Sequence, residues 1–364
     1  MHIASADLWA GAEAQLFTLA KALQSETDIR LTFLLLNDGI LAEKLRQLQI
    51  PVYVLDEGKT GFLQLLRSTV ALVRKLRPDI IHSHRTKEHI IGGIVGRLLK
   101  VPATVRTVHG FEEHPANRIE PRKRLVRIVD NYIASRWQTG IVAVSRPLSK
   151  SLTKEYGTKV RYIPNGIDIE LYTDIAKKCS NSALRVVFIG RLTPVKRVDI
   201  FLEIAKIASQ NNSIPIAFHV LGDGPLLEEC EAFIDSNCLQ KIVHMRGFVE
   251  DVVTELAEAD LMLITSDSEG LPMVLLEAML SRVTVISRNV GDIPEVLESG
   301  KYGVLVHSDD PELFWQYIKQ FSRSEFDHAR KNESARRHVI DRYSSRQCAR
   351  RYTQFYVDLL QGNH

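Results

Sequence analysis

Short apolar runs rich in β-branched residues alternate with longer amphipathic stretches along almost the whole chain, and this rhythm leaves few folds open. In the first half the runs are His2–Ser5, Leu31–Leu36, Pro51–Leu55, Asp79–Ser83, Ala103–Thr107, Gly140–Val144 and Val160–Ile163. Helical stretches such as Ala12–Gln24 and Phe62–Arg77 separate them. In the latter, Leu65, Leu66, Thr69, Leu72, Val73 and Leu76 recur at the three-to-four spacing of one buried face. Strands that alternate with helices predict a parallel sheet covered on both sides. The rhythm breaks once, in the polar segment Tyr172–Ala183 beyond Pro164-Asn165-Gly166, and then restarts. Its second series is Arg185–Ile189, Ile216–Leu221, Ile242–His244, Leu261–Thr265, Val283–Ser287 and Gly303–Val306. From Pro311 onward only helices are expected, Tyr343–Leu360 among them. A chain of 364 residues is also too long for one ordinary core. The expectation is an α/β protein with two doubly wound domains, residues 1–172 and 173–342, facing each other across a cleft. Residues 343–364 would form a helix crossing back to the first domain. In such sheets ligands bind beyond the carboxyl ends of the strands.

Composition removes several classes of function. Hydrophobic residues make up 45% and charged ones 25%, as in a globular protein that folds in water. No apolar run approaches the ~20 residues of a membrane-spanning helix. The opening MHIASADLWAGAE lacks a basic region followed by an apolar signal stretch. Cys179, Cys230, Cys238 and Cys348 are far apart and form no CxxC pair, which argues against a zinc site or disulfide framework and for a reducing, cytoplasmic setting. The net charge of +3 is unevenly spread, with +7 on residues 1–176 and −4 on residues 177–364. A basic first half fits an anionic partner, such as a membrane surface or an acidic substrate, or else scattered solvated charge. No nucleic-acid partner is expected.

The densest functional signal is Ser268–Met279, reading SEGLPMVLLEAM. An apolar strand runs into a glycine loop with Glu269 and Gly270, and a helix follows with Pro272 in its first turn, where a missing N–H is tolerated. A helix N-terminus offers free N–H groups and a positive dipole end to an anion such as a phosphate. Glu269 and Glu277 would flank that anion. A carboxylate beside a phosphate is unfavourable unless it accepts hydrogen bonds, and sugar hydroxyls supply them. A diphosphate with a sugar at each end meets these demands; an ordinary αβ unit with solvent-facing glutamates also fits the stretch taken alone.

Other strand ends carry chemistry of the same kind. Gly190-Arg191-Leu192-Thr193-Pro194-Val195-Lys196 follows the first strand of the second series, and Arg191 with Lys196 combines a planar donor fork with a point charge, a pairing suited to a diphosphate. Leu221-Gly222-Asp223-Gly224-Pro225 is a tight turn or a place of close backbone approach to a ligand. In Met245-Arg246-Gly247-Phe248-Val249, Phe248 and Val249 form either an apolar seat for a flat base or a buried strand end. At the front, Leu8-Trp9-Ala10-Gly11-Ala12-Glu13 joins the first strand to the first helix, and Gly11 allows close backbone approach. His109, in TVHG, lies just past a strand end, where an imidazole can exchange a proton near neutrality. His82 and His84 have the spacing of a metal pair but no evident third ligand, and no Asp-x-Asp pair exists to hold a divalent ion, so no metal is expected.

Together these pieces resemble the retaining glycosyltransferases of family four, the group 1 glycosyltransferases with the GT-B fold. The matching stretches are AGAE at Ala10–Glu13, TVHG at Thr107–Gly110, VSRPLSKSL at Val144–Leu152, PNGID at Pro164–Asp168, GRLTPVKRVD at Gly190–Asp199, LGDGP at Leu221–Pro225 and EGLPMVLLEAM from Glu269. The resemblance implies that Glu269 contacts the donor sugar and Glu277 the ribose of a nucleoside-diphosphate sugar. It implies that Arg191 and Lys196 hold the diphosphate, that Gly11 faces it, and that His109 stands near the reacting sugar. Gly190, Gly222, Phe248, Val249, Gly270, Leu271, Pro272, Met273 and Val274 complete the expected donor site. Catalysis would rest on His109, Glu269, Arg191 and Lys196, with no permanently bound cofactor and no metal. The family is usually assigned a same-face mechanism that retains configuration, in which the leaving phosphate helps deprotonate the acceptor.

Three departures stand out. One glycine is replaced in the first loop, which reads Ala10-Gly11; Arg282 and Thr284 stand where glycine and proline are common; and the first strand begins almost at residue 1, so it is short or the N-terminus is incomplete. The acceptor, a glycan or lipid-linked saccharide of cell-surface polysaccharide biosynthesis, is expected at His84, Arg85, Arg122 and Lys123 in the first domain. Pro121–Val129 mixes cations with apolar residues, as suits either peripheral attachment to the inner face of the membrane or a core-packed helix with a solvated basic face. Two other classes stay open. A sugar-nucleotide epimerase or a phosphorylase would turn over sugar nucleotide without an acceptor product, and a non-catalytic binding protein would bind it without turnover.

Overall fold

The computed structural model describes residues 1–6, 11–25, 29–110, 121–173, 183–211, 214–323 and 328–362. Trp9 and Ala10 of the first loop, and most of the polar segment around Cys179, lie outside them. The chain forms two units, residues 1–166 with 345–364, and residues 167–344. Those junctions fall a few residues from the 172/173 and 342/343 positions read from composition.

The first unit holds a seven-stranded sheet in the order β3-β2-β1-β4-β5-β6-β7. Its strands are β1 (His2–Ala4), β2 (Phe33–Leu35), β3 (Val52–Val54), β4 (Ile80–Ser83), β5 (Ala103–Val108), β6 (Gly140–Ala143) and β7 (Val160–Tyr162), all parallel. Between them run α1 (Gly11–Gln24), α2 (Ile40–Gln47), α3 (Phe62–Leu76), α4 (Thr86–Leu99), α5 (Pro121–Arg136) and α6 (Arg146–Tyr156). The amphipathic reading of α3 holds, with Leu65, Thr69 and Val73 buried. Ser145 caps α6 by accepting from the Leu148 N–H at 3.3 Å.

The second unit holds a six-stranded parallel sheet in the order β10-β9-β8-β11-β12-β13. Its strands are β8 (Leu184–Ile189), β9 (Ile216–Leu221), β10 (Val243–Gly247), β11 (Leu261–Ile264), β12 (Thr284–Arg288) and β13 (Val304–Val306). Its helices are α7 (Val198–Asn211), α8 (Leu227–Ser236), α9 (Val252–Glu258), α10 (Met273–Leu280), α11 (Ile293–Val296), α12 (Pro311–Arg323) and α13 (His328–Tyr343). Two apolar cores sandwich this sheet, one around Phe201, Phe218 and Trp315, the other around Leu275, Met279 and Leu297.

In both sheets the strand order reverses beside the first strand, between β1 and β4 and between β8 and β11. Loops leaving the carboxyl ends on either side of such a reversal diverge and open a crevice, so each unit has one preferred place for a ligand.

The final helix, α14 (Ser345–Leu360), belongs to the first unit. Cys348, Tyr352, Phe355, Tyr356 and Leu359 pack with Leu19, Leu23, Val105 and Val142 into one core. A Cβ on Gly140 would lie 2.6 Å from the Phe355 ring, so β6 and α14 are in close contact. On the other side of the junction the Ile167 N–H donates to the Tyr343 carbonyl at 2.8 Å. The departure at Arg282 is absorbed locally. Its φ of 59° is the left-handed conformation that glycine usually supplies after a helix, and its guanidinium is held by Glu333 at 2.7 Å.

Candidate active site

In the second unit, the ends of β8, β9 and β10, on one side of the reversal, are knitted by backbone. The Gly190 N–H donates to Leu221 O at 3.0 Å, and the Gly222 N–H to Gly247 O at 2.7 Å. Gly222 has φ +150° and a Cβ there would fall 1.9 Å from Gly190 O, so no other residue lets these loops approach so closely. Arg191 emerges from this junction exposed and with no ion-pair partner among the described residues. Lys196 ends the short turn Pro194–Lys196 and donates through Nζ to Glu269 Oε1 at 2.6 Å. Ser266 Oγ donates to the same oxygen at 2.7 Å.

Backbone fixes that pair in place. Thr265 Oγ1 donates to Lys196 O at 3.0 Å, and the Asp267 N–H to Val195 O at 2.8 Å. From the other flank the Asp292 N–H donates to Gly270 O at 2.9 Å. Gly291, at φ +59°, lies so near that a Cβ would sit 2.2 Å from Glu269 O. The Asp267 carboxylate pairs with Arg197 at 3.1 Å and also with Arg288, tying together the loops after β8, β11 and β12.

Beyond Gly270, Leu271 and Pro272 are buried, Met273 and Val274 are half-buried, and α10 starts with no side chain capping it. Its first N–H groups are therefore unmet by a side chain. Glu277, two residues beyond Leu275, is half-buried, and desolvation pushes its carboxyl up to about 7. No described residue donates a hydrogen bond to it. Phe248 is 60% exposed while Val249 packs on the core around Leu275, so the two residues divide into an open aromatic face and an anchored neighbour.

In the first unit, Gly11 opens α1 with open space where a Cβ would stand. Glu13, buried, forms an ion pair with Arg85. A cavity of about 1060 Å³ is lined by His84, Arg85 and His109 together with Arg127, Asp130, Asn131 and Tyr156. Arg122 and Lys123 are exposed on the first turn of α5 and do not line it, so the four expected acceptor residues do not form one set. The α5 side chains that reach the cavity are those one and two turns later.

His109 does not fulfil the expectation of an imidazole titrating near neutrality. Burial, and then Arg85, push it down to about 4, so it is neutral at ordinary pH and its Nε2 is buried without a partner. It can orient or polarise a group but carries no spare proton. The missing third imidazole is also present after all. His2, opposite His82 in the β1–β4 register, brings the ligand atoms of His2, His82 and His84 within 4.8 Å of one another. Yet the His2 and His84 rings are nearly coplanar (12°), with centroids 5.3 Å apart and His2 Nδ1 3.0 Å from His84 Nε2. Two nitrogens aimed straight at each other share a proton, and their lone pairs do not converge on a common ion. His82 is engaged at both nitrogens, by the Tyr356 hydroxyl at 2.6 Å and by Thr107 Oγ1 at 2.7 Å, and Thr107 reaches Tyr352 at 3.2 Å. The cluster reads as a buried hydrogen-bond chain that docks α14 against β4 and β5.

Residues 9–171 match the family described as Glycosyltransferase Family 4, and residues 183–324 the one described as Glycosyl transferases group 1. The chain belongs to the group 1 glycosyltransferases of family 4. It is a glycosyltransferase. The galactosyltransferase of Escherichia coli that acts from UDP-Gal on α-D-GlcNAc-diphosphoundecaprenol is 27% identical over 291 residues, 75% of this chain and 74% of that protein. N-acetyl-α-D-glucosaminyl L-malate synthase of Bacillus anthracis is 27% identical over 317 residues, covering 83% of this chain and 80% of that protein. Among solved structures, Anabaena HepE in complex with UDP-glucose superposes with a TM-score of 0.82 at 21% identity, covering 98% of this glycosyltransferase and 100% of that chain. A sucrose-phosphate synthase from Thermosynechococcus elongatus does so with a TM-score of 0.78 at 16% identity, covering 100% of both. The two doubly wound sheets are those of the GT-B fold. Among the described residues no helix is long and apolar enough to cross a membrane.

The sequence did not single out Ser266, Asp267, Gly291 or Asp292. Asn289-Val290-Gly291-Asp292 has the look of a turn, and only the fold shows that the turn braces Glu269.

Proposed function

We propose that this glycosyltransferase moves a hexose from a nucleoside-diphosphate sugar to a hydroxyl of a glycan or lipid-linked saccharide, with retention of configuration. The observation that carries the donor reading is Glu277, a half-buried, desolvated carboxylate with no donor among the described residues, eight positions after a second carboxylate held by Lys196 and Ser266. Paired ribose hydroxyls would satisfy Glu277, the sugar hydroxyls would meet Glu269, and the diphosphate would lie between them. Exposed Arg191, Lys196 and the open N-terminus of α10 would neutralise the charge that builds on the leaving diphosphate. These cations supply the role a divalent ion would otherwise fill. HepE has been solved with UDP and with UDP-glucose, which supports a uridine nucleotide as the donor's carrier.

Retention is carried over from the family resemblance, and no free carboxylate stands out as a nucleophile among the described residues. Glu269 is spent on Lys196, so the same-face route, with the leaving phosphate taking the acceptor proton, is the reading we adopt. The acceptor class draws support from the E. coli relative, named for an acceptor on a diphosphate lipid. Such an acceptor would place this protein peripherally at the inner face of the membrane.

The test is a thermal-shift screen of nucleoside diphosphates followed by transfer assays with the stabilising sugar nucleotide. A rise in Tm with one diphosphate, activity that survives a chelator, and an anomeric NMR signal matching the donor's would uphold the proposal. No shift with any diphosphate would sink the donor reading, loss of activity with chelator the metal-free one, and inverted product the retaining one.

A further inference from the structure

The helix α5 is amphipathic in the wrong direction for a helix that merely covers a core. Ile133 and Ala134 are buried, and Arg127, Asp130 and Asn131 line the cavity beside His84 and His109. Leu125, Ile128, Val129 and Tyr132, at the spacing i, i+3, i+4 and i+7, form a third stripe that points away from both. They are 63%, 58%, 37% and 54% exposed, and Val126 beside them is 45% exposed. Isolated exposed apolar residues need no explanation, but five on four turns of one helix do. The sequence alone left open a core-packed helix with a solvated basic face. Here the apolar residues share the solvated side with the cations.

Charge decides what such a stripe fits. Arg122, Lys123 and Arg124 at its start are exposed and have no ion-pair partner among the described residues, and Arg136 closes its far end. Unpaired cations interleaved with aliphatic side chains and a tyrosine suit the interface of an anionic bilayer, where acyl chains take the apolar groups and lipid phosphates the cations. Phosphate recognition on a nucleic acid would use the cations but leave the aliphatic stripe wet. Tyr132 stands edge-on to Trp137 with ring centroids 5.6 Å apart, an amphipathic aromatic pair of the kind enriched at the headgroup level.

We propose that α5 docks the first unit on an anionic lipid surface through Leu125, Val126, Ile128, Val129 and Tyr132, with Arg122, Lys123 and Arg124 on the headgroups. The same helix then presents Arg127, Asp130 and Asn131 to the cavity, so a lipid-linked acceptor would enter that cavity from the membrane side. This last clause rests on the transferase reading above; the docking itself does not.

The experiment is sedimentation of the full chain with vesicles of phosphatidylglycerol and phosphatidylethanolamine, against vesicles of phosphatidylcholine alone, at low and high salt. Binding to the anionic vesicles only, weakened by salt, is expected. Changing Leu125, Ile128 and Tyr132 together to Asn should lower binding at least tenfold, and so should R122E with R124E. Both variants should keep the parent's thermal shift with nucleoside diphosphates, which separates a failure of docking from a failure of the donor reading, and the parent's calorimetric transition for the first unit, which shows that the unit carrying α5 is folded. Equal binding by the parent and the apolar variant overturns the proposal. So does failure of the parent to bind anionic vesicles, or equal binding to the uncharged ones.

Discussion

At the scale of single residues, Glu277 couples the candidate site to pH. Its carboxyl is raised from 4.5 to about 7 by burial, so the folded state prefers the protonated form. That preference is fully present below about pH 4.5 and is lost as pH rises through about 7. Glu277→Gln should therefore match the parent's stability near pH 4 and exceed it by roughly 2 kcal/mol at pH 8, as chemical denaturation at the two pH values would show. Binding runs the other way. If ribose hydroxyls donate to Glu277, diphosphate affinity of the parent should fall as pH drops below about 7, and calorimetry on the Gln variant should find weak binding without that slope. Gly291 is a second residue-scale case. Alanine there must take φ +59° and push on Glu269 O from 2.2 Å. Gly291→Ala should cost about 1–2 kcal/mol of stability and lower transfer far more than a change of that size elsewhere, because the loop it displaces carries Glu269.

Among the elements, the loops after β8, β11 and β12 act as one device, since Lys196 holds Glu269 and the Asp292 N–H holds the neighbouring Gly270 carbonyl across them. Lys196→Ala removes a cation expected at the diphosphate and also frees Glu269 to turn away. Turnover should fall about a hundredfold or more, whereas Lys196→Arg should recover part of it; steady-state kinetics on both variants would decide. How much of this was legible beforehand depends on range. The thirteen strands among the described residues follow from local alternation, and Pro272 announces the start of α10. The ends were less certain, as at β10, where the exposed Arg246 and the glycine after it hide the last three positions of an edge strand that runs on to Gly247. The pairing of Lys196 with Glu269 spans 73 residues and has no local signature. The third imidazole, His2, was hidden for the same reason, because only the β1–β4 register brings it to His84. Arg122 and Lys123 were chosen for charge, and nothing in their spacing showed that the cavity would instead be met by Arg127, Asp130 and Asn131.

For the whole molecule, the order of segments matters as much as their contacts. Residues 167–344 are continuous in sequence, whereas the first unit needs α14 from beyond them. Removing residues 345–364 should strip Tyr352, Phe355, Tyr356 and Leu359 from that core and leave His82 without the Tyr356 hydroxyl. Such a truncation should lose the folded first unit while keeping a cooperative transition and nucleoside-diphosphate binding from the second, which calorimetry can resolve into separate peaks. The same arrangement dictates a sequence of events on the ribosome. The segment translated first closes last: the second unit can fold as soon as residues 167–344 have left the exit tunnel, while β1 to β7 wait, with the apolar floor for α14 uncovered, until the residues past Ser344 emerge. At about 5–20 residues per second, that interval lasts long enough for the waiting sheet to be a client of chaperones.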